Sequence, residues 1–340
     1  GFNVEGLSFS ADNLLKKIRG EVSRLSELHE KALRKLDIKI IRGWGRFIDQ
    51  NQVEIICSET QRKIDNVYAN KFMISVGGKP KKLLFPGSDL VWSSDDIFEL
   101  DNFPKSIFIV GGGYIACEFS CIFNNLGIQV TQLIRSNNLL NGFDLDLSSS
   151  LRESMLSNGI ELLFNEELEY VNKVRDGMEL IFKSGLRMKK NNILMAIGRE
   201  PNLKKLNIDK IGLQMDGNFI RVDKYNQTNV KNIFAIGDVI DKPNLTPVAI
   251  EQGRVFSDNY FGNLNRTINY ELIPKAVFTN PEISSVGLTE KDAIKIYSKE
   301  NLRFFKCKFI PMSNTFKKNK SKCMLKIIVK KSDDKVLGCH

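Results

Sequence analysis

Two features of this chain place reactive chemistry at defined points. The first is Gly111-Gly112-Gly113-Tyr114-Ile115-Ala116, which follows the apolar run Ile107-Phe108-Ile109-Val110. Gly111-x-Gly113-x-x-Ala116 in that setting reads as a strand turning into a helix that runs through Cys117 to Asn125. Gly111 permits the tight turn, Gly113 lets backbone N–H groups approach a diphosphate, and Ala116 lets helix and strand pack closely. A dinucleotide's diphosphate would sit at the helix N-terminus, where orphan N–H groups and the macrodipole favour negative charge. The second feature is Arg135, which ends the next strand, Ile128 to Ile134. NAD-binding units carry an acidic residue there to accept the ribose 2′-hydroxyl. A guanidinium pairs instead with a 2′-phosphate, so Arg135 favours NADP over NAD. No second basic residue follows until Arg152, which leaves the phosphate pocket lean.

The rest of the chain limits what these residues can serve. At 340 residues it exceeds one ordinary core, and two or three domains are expected. Its 42% hydrophobic and 26% charged residues are those of a globular protein. No apolar run approaches the roughly 20 residues needed to cross a bilayer, so no membrane partner is expected. The opening Gly-Phe-Asn-Val-Glu-Gly does not read as a signal or transit peptide, and the missing Met predicts that the true N-terminus lies upstream. The net charge of +10 is scattered along the chain. Its densest basic run, Lys317-Lys318-Asn319-Lys320, lacks interleaved aromatics and reads as a solvated loop, not a nucleic-acid surface. A positive field would speed encounter with anionic cofactors and substrates.

None of the cysteines forms a Cys-x-x-Cys or a zinc spacing, so no metal site is expected. Cys117 and Cys121, one helical turn apart, read as small packing residues in preference to a redox pair. Reduced thiols throughout fit a cytoplasmic protein.

The elements that must position these residues follow from apolar periodicity and from Gly and Pro punctuation. A long amphipathic helix is predicted from Ser10, as cap, to Lys35. Strands are predicted at Ile38 to Arg42, Val53 to Ile56 and Asn70 to Val76, the last ending in the Gly77-Gly78-Lys79-Pro80 turn. After Arg135 come a helix, Leu145 to Leu156, stopped by Asn158-Gly159, and a strand, Ile160 to Phe164. Leu168 to Val174 and Met178 to Phe182 resemble a hairpin turned by Asp176-Gly177. Buried strands at Ile193 to Ile197 and Ile233 to Ile236 end in Gly198-Arg199 and Gly237-Asp238, and Pro247 opens a helix over Thr246 to Phe261. From about Tyr270 the character changes, with strands at Lys275 to Phe278, Arg303 to Phe309 and Met324 to Lys330. Strands alternating with helices imply parallel sheets with ligand sites at their C-terminal edges. There are two such systems, one around Gly111 and one split around it, Phe72 to Gly78 and Ile233 to Asp238.

In these residues the chain resembles the pyridine nucleotide–disulfide oxidoreductase family over essentially its whole length. Ser75-Val76-Gly77-Gly78-Lys79-Pro80 is similar to the family's Ala-Thr-Gly-Gly-x-Pro turn, and Gly111 to Glu118 to its central NADPH motif. Ala196-Ile197-Gly198-Arg199-Glu200-Pro201-Asn202 is similar to Ala-x-Gly-Arg-x-Pro-Asn, and Ala235-Ile236-Gly237-Asp238-Val239 to the second FAD motif. Leu245 to Ala249 and Val286 to Glu290 are family-like as well, and Phe309-Ile310-Pro311-Met312 resembles the members that reduce glutathione disulfide. The resemblance implies an α/β protein with two nested Rossmann-like FAD/NAD(P)-binding domains plus a partial α+β interface, or dimerisation, domain. Residues 1–103 and 226–270 would form the FAD-binding domain, 104–225 the NADPH-binding domain, and 271–340 the interface domain of a homodimer.

The implied roles are specific. Cofactor-binding positions are Gly77, Gly111, Gly112, Gly113, Ile115, Ala116, Arg135, Gly198, Arg199, Gly237, Asp238 and Thr246. Asp238 would bond the FAD ribityl chain, the Thr246 backbone would meet the flavin, and Arg199 would approach NADPH. Tyr114 would cover the flavin and swing aside for the nicotinamide, and Glu118 would support the flavin through a lysine outside this chain. Arg254 would meet a glutathione carboxylate, and His29 falls where the family often has a substrate-contacting aromatic. The expected enzyme passes a hydride from NADPH to FAD, then electrons through a cysteine pair to glutathione disulfide.

The chain departs from the pattern at Val76, where the family has threonine, and at Asn141, where many glutathione-reducing members have a second phosphate-binding arginine. The Cys-x4-Cys pair and first FAD fingerprint are expected before Gly1, and the catalytic histidine beyond His340, so the chain alone is not expected to turn over. Members that use cationic trypanothione or dihydrolipoyl groups fit the basic charge and Arg135 less well. A nucleotide-binding module without a redox centre is the alternative from another class.

Overall fold

In a computed structural model the structure describes residues 5–6, 9–316 and 321–340; the basic run Lys317 to Lys320 lies outside the described residues. The helices are α1 (Ala11–Lys35), α2 (Tyr114–Asn125), α3 (Leu145–Ser157), α4 (Thr246–Tyr260) and α5 (Glu290–Tyr297). Two compact units divide the chain, Gly1–Val22 with Pro80–Gly198 and Pro274–His340, and Ser23–Lys79 with Arg199–Ile273.

The first unit is built on a four-stranded parallel sheet, ordered Asn192–Met195, Ser106–Val110, Gln129–Ile134, Glu161–Phe164. Strand periodicity divides its central run between two cores. Ile107 and Ile109 pack with Ala116, Cys117, Phe123, Leu151 and Met155 of α2 and α3. Phe108 and Val110 point the other way, against a three-stranded antiparallel sheet that supplies Val171, Leu180 and Phe182. Phe108 and Phe182 meet edge to face, ring centroids 5.7 Å apart.

The end of the chain forms a five-stranded sheet, ordered Lys275–Val277, Ile283–Gly287, Val336–Cys339, Cys323–Lys330, Leu302–Phe309. α5 covers one face, where Ala293, Leu302, Ile328 and Leu337 form a core. The other face presents Phe305, Phe309, Leu325 and Ile327, exposed at 53%, 44%, 53% and 38%.

The second unit pairs Phe72–Ile74 with Ile233–Ala235 in parallel, joining segments that stand on either side of the first sheet in sequence. An antiparallel sheet, Trp44–Asp49, Gln52–Ile56 and Lys63–Tyr68, adds Phe47 to the same core.

Several boundaries differ from the sequence reading. No strand forms over Ile38 to Arg42. α1 ends in a turn with Asp37 at φ 57°, Ile38 stays 47% exposed, and the strand begins only at Trp44, beyond Gly43. The expected Asn70 to Val76 strand is limited to Phe72–Ile74, the residues that meet Ile233–Ala235. The hairpin at Asp176-Gly177 gains a third strand, Arg187–Lys190. α5 and the strands Lys63–Tyr68, Ile283–Gly287 and Val336–Cys339 were not anticipated.

Candidate functional site

The C-terminal edge of the parallel sheet opens into a cavity of about 420 Å³, within the range of small-molecule sites. Its lining includes Gly111, Gly112, Gly113, Tyr114, Ile115, Arg135 and Gly198. Gly111 sits at φ 143°, and a Cβ there would lie 2.2 Å from the Ala196 carbonyl oxygen. Only glycine can make this turn. At Gly113 a Cβ would meet nothing within 4 Å. Gly113 is also the N-cap of α2 and offers no side chain to the first-turn N–H groups. Those donors, aligned with the helix dipole and facing open space, are suited to the diphosphate of NADPH.

A buried glutamine holds this turn from below. Gln132, fully buried, donates to the Gly111 carbonyl at 2.9 Å and accepts from the Ser120 hydroxyl at 2.8 Å. The second unit repeats the device. Buried Gln252 accepts the Gly237 N–H at 2.7 Å and donates to the Tyr270 hydroxyl at 3.1 Å. Neither glutamine was singled out in the sequence. The signal was a polar side chain inside an apolar run, one in Val-Thr-Gln-Leu-Ile and one on the inner face of α4.

Arg135 is exposed at the cavity's rim and, among the described residues, forms no hydrogen bond or ion pair. Ser136 and Asn141 line the cavity beside it, and Asn141 Nδ2 lies 3.5 Å from Ser136 Oγ. The loop bearing them is anchored by the Leu140 N–H on the Gly112 carbonyl, 2.7 Å, and by Ser148 Oγ on the Leu139 carbonyl, 2.7 Å.

Tyr114, the first residue of α2, is 42% exposed in the cavity wall. Glu118, one turn on, accepts the Phe278 backbone N–H at 2.8 Å. Cys117 and Cys121 are buried and unbridged. Burial pushes the Cys117 thiol up to about 12 against an opposing hydrogen bond from Gln132, a packing role and not that of a thiolate nucleophile.

The second unit holds the remaining positions expected to bind cofactor. Arg199 donates to the Gly78 carbonyl at 2.5 Å and lies 4.0 Å from Asp238. A Cβ on Gly78 would come within 3.1 Å of Asp238 Oδ2. Gly77, at φ 67°, accepts the Asn202 N–H at 3.0 Å. Asp238 thus stands beside closely approaching backbone, an arrangement suited to a hydroxyl-rich chain such as the FAD ribityl. Thr246 is the first residue of α4; the cap is Leu245, which leaves the helix N-terminus without a side-chain acceptor. A mainly apolar cavity of about 510 Å³, lined by Trp44, Phe47, Phe72 and Val76, lies in this unit. Arg254 is 70% exposed, with Glu251 at 3.9 Å. His29 is exposed on α1.

A charge cluster joins the parallel-sheet domain to the C-terminal sheet. Lys326 Nζ lies 2.8 Å from Asp144, 2.8 Å from Asp146 and 2.6 Å from Glu290. Burial opposes the charged ammonium, but the hydrogen bonds it donates to these carboxylates hold Lys326 above the usual lysine range. Burial likewise raises Asp144, yet the Lys326 ammonium and two backbone N–H groups bring it below the ordinary carboxylate range. Among the described residues no group of His, Cys, Asp and Glu could hold a metal ion.

The sequence matches the family described as pyridine nucleotide-disulphide oxidoreductase over residues 4–253, and that family's dimerisation domain over residues 273–340. A glutathione reductase of Nostoc sp. (strain PCC 7120 / SAG 25.82 / UTEX 2576) is 36% identical over 100% of this chain and 75% of its own length. One from Burkholderia cepacia is 33% identical over 100% and 74%. The chloroplastic/mitochondrial glutathione reductase of Pisum sativum is 35% identical over 96% of this chain and 58% of its own. Among solved structures, the HOCl-induced flavoprotein disulfide reductase RclA from Escherichia coli superimposes with a TM-score of 0.87 at 23% identity, covering 96% of this chain and 75% of that one.

Proposed function

Since the chain belongs to the pyridine nucleotide-disulphide oxidoreductase family, we propose that its first unit selects NADPH and that the protein is a glutathione-disulfide reductase. The observation that carries the coenzyme reading is Arg135, a guanidinium without a partner among the described residues, in the lining of the cavity that also contains the Gly111 to Gly113 turn. The glutathione reductases that match the whole chain support the substrate.

When bound, NADPH and FAD would supply the hydride and electron chemistry that reduction of a disulfide needs. The chain's own residues bind and orient. α2 N–H groups hold the diphosphate, with Gly113 keeping the approach clear. Arg135 pairs with the 2′-phosphate, and Asn141 contributes a neutral amide where a second cation would bind more strongly. Tyr114 would shield the cavity wall from water and give way to a bound coenzyme ring. Glu118, fixed by the Phe278 N–H, holds the start of α2 against the C-terminal sheet. Asp238 would hold the FAD ribityl chain, Gly77 would contribute to FAD binding, and the Thr246 N–H would meet the flavin. Arg254 and His29 meet the anionic peptide disulfide.

The chain carries the family's dimerisation domain. The apolar sheet face bearing Phe305, Phe309, Leu325 and Ile327 is the surface we assign to a second copy. No helix among the described residues is long and apolar enough to cross a membrane, and six unbridged cysteines accord with the cytoplasm. The test is NADPH oxidation by the full protein, followed at the nicotinamide absorbance. Consumption that depends on glutathione disulfide supports the reading; consumption with another disulfide and none with glutathione disulfide overturns the substrate.

A further inference from the structure

Lys326 occupies an inward position of the Cys323–Lys330 strand, between buried Met324 and Ile328, where strand alternation calls for an apolar residue. Its side chain is 2% exposed and faces three carboxylates; Lys306 joins the cluster through Asp146. Stability alone does not require this, because apolar packing serves as well as a buried ion cluster. The position of Asp144 gives a reason. One carboxylate oxygen caps α3, accepting the Asp146 N–H at 3.0 Å, and the other accepts the Glu290 N–H at the start of α5, 2.9 Å. Asp144 also closes the loop that begins at Arg135 and bears Ser136 and Asn141 in the cavity wall.

We propose that Lys326 is a positioning residue for coenzyme selection: by holding Asp144 it fixes the far end of the loop on which Arg135 and Asn141 meet the 2′-phosphate. The dimerisation domain thereby takes part in choosing NADP over NAD. Pairing a guanidinium with a phosphate depends on placement to within a fraction of an ångström, so both loop ends matter. One end is the parallel strand, and the other is this buried pair. The inference rests on the reading of Arg135 given above.

The test is calorimetric titration of the full protein and its variants with 2′,5′-ADP and with 5′-ADP, which lacks the 2′-phosphate. In K326M, binding of 2′,5′-ADP is expected to fall about fivefold or more while 5′-ADP binding changes by less than about twofold. D146N/E290Q, which leaves the Lys326–Asp144 pair in place, is expected to keep the wild-type ratio. Should K326M not fold, K326Q, which removes the charge but keeps a donor, is expected to shift the ratio in the same direction. A K326M or K326Q ratio equal to wild type, an equal loss of both nucleotides, or an equal loss of discrimination in D146N/E290Q overturns the inference. A wild-type protein that binds both adenylates alike overturns the reading of Arg135 and the inference with it.

Discussion

The Gln132 carboxamide donates to the Gly111 carbonyl at 2.9 Å, tying the second strand of the parallel sheet to the turn that follows the first. Its own oxygen is satisfied by Ser120, so the buried amide is paired on both sides. In Q132L the Gly111 carbonyl and the Ser120 hydroxyl lose their partner in an apolar interior. A stability loss of about 1–3 kcal/mol is expected in urea denaturation, with weaker NADPH binding. Unchanged stability and affinity would show that the turn holds its shape unaided.

Gly111 and Gly113 separate folding from binding within one motif. G111A drives a methyl to about 2.2 Å from the Ala196 oxygen at a left-handed φ and is expected to give little folded protein. G113A places its methyl in open space at φ −85° and is expected to melt near the wild-type temperature. That methyl stands where we place the diphosphate, so NADPH affinity should fall at least tenfold, about 1.4 kcal/mol. A G113A protein that binds NADPH normally would move the diphosphate elsewhere.

The parallel sheet was legible because Ile107 to Val110 is continuously apolar and the residues after it are small. The Asp176-Gly177 hairpin was legible for its turn residues. Lys63–Tyr68 was not, because it is an edge strand with its first three residues exposed, and its alternation is broken by adjacent Asp65 and Asn66. Trp44–Asp49 buries only Phe47, so burial left little pattern there. At the site, glycines and Arg135 announced themselves by type and spacing. Gln132 and Gln252 did not, since their role is visible only once a neighbouring turn is in place. Lys326 and Asp144 stand 182 residues apart, beyond any local pattern, and Lys326 interrupts an apolar strand without indicating its partners.

The cluster around Lys326 gives stability a defined acid limb. Asp144 and Asp146 are held below the ordinary carboxylate range, in each case against burial and by lysine hydrogen bonds. A carboxylate lowered in the folded state stabilises above its unfolded value and loses that contribution as pH falls through the folded one. Lys326 is raised, so its contribution is complete below about pH 10.4 and lost as pH rises beyond it. Thermal midpoints are therefore expected to be flat, for this cluster, through neutral pH and to drop below about pH 4. In K326M the acid drop should be shallower, because Asp144 without its cation is no longer held as far below its unfolded value and has less stability to lose. Identical acid limbs for the two proteins would contradict the assignment.

The cysteines should differ sharply in reactivity. Cys57 is held below the usual thiol range by the Thr60 hydroxyl and the Thr60 and Glu59 N–H groups. Burial raises Cys117 to about 12 and raises Cys121 as well. With iodoacetamide at neutral pH, peptide mass spectrometry is expected to find Cys57 modified early and Cys117 and Cys121 protected until the protein unfolds. Early labelling of Cys117 in folded protein would contradict its packing role.

The central claim, that Arg135 selects the phosphorylated coenzyme, is tested most directly by titrating wild type and R135A with NADPH and NADH. The wild type is expected to prefer NADPH at least tenfold, about 1.4 kcal/mol, and R135A to bind the two nearly alike, chiefly through weaker NADPH binding. An R135A protein with the wild-type preference would contradict the account.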